Sequence, residues 1–81
     1  MSFFHSVSSQ PQEGDLYIYQ AEDSYYDTTF DLWESYIFRE YKDGLLLFTD
    51  ANSDYVIVTL SEFDELRRLR FLVKYGTVTD V

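Results

Sequence analysis

The dipeptide Asp43-Gly44 stands between two runs rich in apolar residues, 36–41 on one side and 45–49 on the other. Asp-Gly in that setting is the strongest short-range signal for a β-hairpin, because glycine adopts the positive φ that a tight turn between twisted strands requires. The middle of the chain is therefore committed to antiparallel sheet. Residues 45–49 and 55–60 read as two strands joined by Asp50-Ala51-Asn52-Ser53-Asp54, whose side chains favour turns through local hydrogen bonds. Residues 16–20 have the composition of a further short strand. Residues 33–42 carry two signals. Phe30, Trp33, Ile37 and Tyr41 fall at helical spacing, with acids early and Arg39 and Lys42 late. The aromatic and β-branched content and the adjoining hairpin instead favour a strand.

The helix signals lie towards the C-terminus, over 62–75. Ser61 and Asp64 form a capping-box-like pair, and Gly76 stands where a left-handed C-terminal residue belongs. Between them Phe63, Leu66, Leu69, Leu72 and Val73 make an apolar stripe. Residues 1–14, with Ser, Gln, Pro11 and Gly14 and no period, read as a flexible arm. Residues 22–31 read as an acidic loop. The expected class is α+β: a single domain over 15–81, with a small antiparallel sheet of three to four strands packed by one C-terminal helix.

At 81 residues such a domain is near the lower limit for a self-sufficient core, and no cysteine supplements it. Aromatic residues at 20% offset the small size, since each buried ring removes roughly 150–250 Å² from water. The strands also raise a problem of coverage. Leu46, Phe48, Val56, Val58 and Leu60 line one face, while Leu45, Leu47, Tyr55 and Ile57 line the other. One helix covers one face only. Within a helix over 62–75, Phe71 and Tyr75 also fall outside the main stripe. They pack either under the arm that carries Phe3 and Phe4 or against another chain. Leu45, Leu47, Ile57, Phe71 and Tyr75 are thus candidates for self-association, with a symmetric homodimer the expected form.

Charge narrows the function. The net charge is −9, and no Lys or Arg occurs before Arg39, whereas Glu13, Asp15, Glu22, Asp23, Asp27, Asp31 and Glu34 do. Such a surface repels phosphates, so direct nucleic-acid binding and docking to anionic membranes are disfavoured. Arg67, Arg68, Arg70 and Lys74 are best read as cations complementing a helix C-terminus whose first turn holds Glu62, Asp64 and Glu65. No stretch approaches the roughly 18 apolar residues of a transmembrane helix. Met-Ser-Phe-Phe-His-Ser does not resemble a signal peptide, so a cytoplasmic location is expected.

Catalytic patterns are missing. His5 is the sole histidine and sits in the arm, no glycine-rich phosphate loop occurs, and 50–54 lacks the mid-loop Gly and bidentate Glu of an EF-hand. No enzyme activity, cofactor or metal is expected. What stands out is an acidic stretch holding the aromatic residues that dominate binding hot spots. Glu22, Asp23, Tyr25, Tyr26, Asp27, Asp31, Trp33 and Glu34 are the candidate partner-binding residues. A small protein with carboxylates at this density can occupy the cationic groove of a nucleic-acid enzyme, with charge accelerating association. In size, charge and Tyr/acid mixture the chain is similar to nuclease immunity proteins and phage-encoded DNA mimics, with which it shares no alignable motif. The expected function is a non-enzymatic inhibitor that occupies the basic site of a nuclease, restriction or CRISPR effector, or other nucleic-acid enzyme. The alternative is a small acidic adaptor or subunit, dimeric in one form, that binds a basic protein without mimicry.

Overall fold

The computed structural model describes residues 10–21 and 28–78. Among the described residues five antiparallel strands form one open sheet: β1 (Asp15–Tyr19), β2 (Ser35–Lys42), β3 (Leu45–Asp50), β4 (Tyr55–Thr59) and β5 (Leu72–Thr77). The helix α1 (Leu60–Arg68) lies between β4 and β5. The strand order is β4-β3-β2-β1-β5, a four-strand meander whose far edge is completed by the last strand. The α+β class and the β2–β3 and β3–β4 hairpins agree with the sequence reading, and 35–42 is strand, not helix. The sheet has five strands instead of three to four.

The difference arises at the end of the helix. Residues 62–75 do not form one helix: α1 stops at Arg68, and Leu72–Thr77 becomes β5, paired with β1 through Tyr17↔Lys74, Ile18↔Val73 and Tyr19↔Leu72. The left-handed residue that ends α1 is Arg70 (φ 66), not Gly76, which lies within β5. The Arg70 amide donates to the Arg67 carbonyl at 3.0 Å and the Phe71 amide to the Leu66 carbonyl at 2.9 Å. These are the paired bonds of a Schellman motif, formed around a residue with a Cβ. At the other end Thr59, not Ser61, is the N-cap, its Oγ1 accepting from the Glu62 amide at 3.1 Å.

The core is aromatic. Phe48 sits at its centre, with ring centroids 5.4 Å from Phe30, 5.6 Å from Phe38, 5.8 Å from Phe63 and 6.0 Å from Tyr17. Most of these pairs are edge-to-face, the arrangement that aromatic quadrupoles prefer. Leu46, Val58, Leu66 and Leu72 complete the interior. Phe30 enters this core from the β1–β2 loop, 4.7 Å from Tyr36 and stacked on Tyr19. At the start of the domain Gly14 (φ 95) donates to the Phe38 carbonyl and accepts from the Val78 amide. Residues 12–14, read as part of a loose arm, are thus bonded to the sheet.

Candidate functional site: an acidic turn that exposes a tryptophan

Where the chain returns from the β1–β2 loop into β2, Asp31-Leu32-Trp33-Glu34 makes a four-residue turn closed by the Glu34 amide on the Asp31 carbonyl. Trp33, at its third position, has φ 65, which is where a type II turn requires glycine or asparagine. A left-handed conformation costs an ordinary L-residue roughly 1–2 kcal/mol. Three bonds hold it. The Trp33 amide donates to the Tyr19 carbonyl at 2.6 Å, the Tyr19 amide to the Glu34 carbonyl at 3.2 Å, and the Asp31 amide to the Tyr36 hydroxyl at 2.7 Å. Phe30, just before the turn, is locked in the core. The turn is therefore fastened from below and on both sides.

What it presents is apolar surface between carboxylates. Trp33 is 66% exposed, Leu32 lies beside it partly bare, and Asp31 and Glu34 flank them in solvent. Of the candidate partner-binding residues, these three, Asp31, Trp33 and Glu34, share one short turn. Glu22, Asp23, Tyr25, Tyr26 and Asp27 lie outside the described residues. Leu32 was missed, because Asp-Leu-Trp-Glu holds neither Gly nor Pro and does not announce a turn.

A further carboxylate comes from the β3–β4 hairpin. Asp50 pairs with Tyr36 in the β2–β3 register, and its Oδ1 accepts from the Asn52 and Asp54 amides at 2.9 Å, which fixes the tight turn. Burial pushes the Tyr36 phenol above its ordinary value. The Asp31 amide bond opposes this, and the charges of Asp31, Glu34 and Asp50 add to it. Asp31 and Glu34 of the turn and Asp50 at the end of β3 thus all act electrostatically on one hydroxyl. Sequence reading treated 50–54 as a turn only. Among the described residues no group of three or more His, Cys, Asp or Glu side chains is arranged to hold a metal ion.

Four of the six cations lie elsewhere. Arg67, Arg68, Arg70 and Lys74 border a cleft of about 400 Å³ between α1 and β5, with Asp15 and Tyr17 in its wall. Asp64 pairs with Arg67 at i,i+3 (2.8 Å), and the Arg67 guanidinium sits 4.4 Å over the Phe63 ring. Asp15 is buried, and Lys74 lies 3.4 Å from its Oδ1, with Thr77 Oγ1 and the Gln12 amide also bonded to the carboxylate. Much of this basic group is thus engaged in holding the helix end and β5 in place.

The self-association candidates separate into two groups. Leu45, Leu47 and Ile57 share the face of the sheet away from α1, with Leu47↔Ile57 in register and Leu45 and Ile57 exposed. Phe71 turns inward against Tyr19, with ring centroids 6.5 Å apart. Tyr75 is exposed on β5, where its hydroxyl donates to Gln20 Oε1 at 2.8 Å. No helix among the described residues is long and apolar enough to cross a membrane. In comparison with known proteins, no family model matches the chain, and neither a curated protein nor a solved structure matches it.

Proposed function

We propose that this protein is a non-enzymatic, acidic inhibitor that docks a basic partner, occupying the nucleic-acid site of an enzyme such as a nuclease or a restriction or CRISPR effector. The observation that carries the reading is Trp33. A bulky indole is held in a strained left-handed turn and left two-thirds exposed, between Asp31 and Glu34. Backbone strain of this kind persists where the surroundings over-determine it, and it concentrates at recognition and catalytic sites. The chemistry of this turn is that of a binding hot spot: an aromatic anchor to be desolvated, flanked by carboxylates that steer a cationic surface towards it. Asp50 from the neighbouring hairpin extends the negative field.

The test has two steps. A partner retained by the wild-type chain should be lost when Trp33→Ala is combined with Asp31→Lys. That partner's binding to nucleic acid should then be measured with and without the protein. Competition supports mimicry. Simultaneous binding of protein and nucleic acid would leave the adaptor reading in its place.

A further inference from the structure

The two edges of the sheet are built differently. β5 carries Lys74 and Gly76, and its register with β1 shifts between Leu16 and Tyr17. A lysine and an irregular ladder are two of the devices by which proteins block an edge from pairing. β4, the other edge, reads Tyr55-Val56-Ile57-Val58-Thr59, with no charge, proline or glycine. Its side chains away from α1 are bare, Tyr55 by 70% and Ile57 by 54%, and they continue into Leu45 and Leu47. A shallow groove of about 220 Å³ bordered by Leu45, Leu47, Ile57, Glu40 and Lys42 marks the same face.

We infer that β4 pairs with β4 of a second copy of this chain, antiparallel about a two-fold axis through Ile57, to give a continuous sheet across the dimer. The uncharged strand is complementary to itself about Ile57, and charge limits where two copies can meet. Two molecules that each carry −9 repel one another, so any self-contact must lie where carboxylates do not face each other. In the two-fold register Tyr55 opposes Thr59, Val56 opposes Val58, and Ile57 meets its own copy. The nearest acid, Asp54, then falls opposite Leu60, not opposite another acid. The outer residues of both copies merge into one apolar strip of Leu45, Leu47, Tyr55 and Ile57, while each α1 stays on the opposite face of the sheet. This contact is independent of the Trp33 turn. It should also respond oppositely to salt: added salt screens repulsion between like molecules and strengthens the dimer, but weakens docking to a basic partner.

Sedimentation equilibrium of the full chain over the micromolar range tests the pairing. The expected result is a monomer–dimer equilibrium that moves towards dimer as salt is raised. Ile57→Lys places two cations at the axis and should return the protein to monomer, with circular dichroism confirming that the variant is folded. The chain has no cysteine, so Ile57→Cys introduces the sole thiol. Mild oxidation should cross-link that variant rapidly through the two-fold axis, whereas Tyr75→Cys on the β5 edge should not. The cysteine pair decides the matter if the lysine variant fails to fold. A monomer at every concentration, a dimer indifferent to Ile57→Lys, or cross-linking through position 75 would each overturn the inference.

Discussion

The backbone amide of Asp31 donates to the hydroxyl of the buried Tyr36 at 2.7 Å, so one phenol both fills the core and fastens the acidic turn. Tyr36→Phe keeps the ring and removes the acceptor. Leaving a partly buried amide unpaired costs about 1–3 kcal/mol. Urea denaturation should show a loss in that range, with the Asp31 amide exchanging faster with solvent. An unchanged exchange rate at Asp31 would mean that the turn is held by its other bonds alone.

Trp33 is expected to separate stability from binding. Trp33→Gly relieves the positive φ and removes little buried surface, so the fold should gain up to about 1 kcal/mol. The same change, like Trp33→Ala, should weaken partner binding by about 2 kcal/mol or more, chiefly through faster dissociation. Thermal melting and binding kinetics on the same variants check both signs. A variant that is destabilised while binding normally would place the indole in the fold instead of the interface.

Reversal of the flanking charge should act on encounter. Asp31→Lys or Glu34→Lys is expected to slow association and flatten its dependence on ionic strength, with a smaller effect on dissociation. Stopped-flow mixing at two salt concentrations distinguishes the two rates.

Three buried tyrosines set an alkaline limit. Burial raises the Tyr17, Tyr19 and Tyr36 phenols above their ordinary value near 10, against the opposing pull of Arg67 at Tyr17 and of the Asp31 amide at Tyr36, with neighbouring acids adding to the rise. In the unfolded chain these phenols ionise first, so above pH ~10 the unfolded state binds fewer protons than the folded one. The stability associated with them is complete below the unfolded value and is lost as the pH rises through the folded ones. Phenolate absorbance should therefore rise in a late, cooperative step that coincides with loss of secondary structure.

Gly14 is not exchangeable. A Cβ at that position would stand 2.6 Å from the Val78 carbonyl oxygen, on a backbone with φ 95. Gly14→Ala should destabilise the domain by about 1–3 kcal/mol, since both the conformation and the close approach to Val78 are violated. Gly44, at φ 81 with open space around it, incurs only the conformational part, so Gly44→Ala should cost less. Parallel denaturation of the two variants makes the comparison.

Local chemistry determined the meander. Asp43-Gly44 and the Asn/Asp/Ser-rich 50–54 specify hairpins within a few residues of themselves, and alternation in 45–49 and 55–59 assigns Leu46, Phe48 and Val58 to one face and Leu45, Leu47 and Ile57 to the other. The separation of acids from Arg67, Arg68, Arg70 and Lys74 was equally legible, because charge is written directly in the residues. The end of the helix was not. Leu69, Leu72 and Val73 continue the helical stripe, and nothing nearby announces that Arg70 turns left-handed. That is decided by β5 pairing with β1, a partner more than fifty residues earlier in the chain. Trp33 followed the same logic. A lone tryptophan suits a small core as well as a binding surface, and it is exposed because Phe30 and Tyr36 already fill the space beneath the turn. Patterns that act over a few residues were readable from sequence, whereas the competition among distant segments for one small core was settled only by packing.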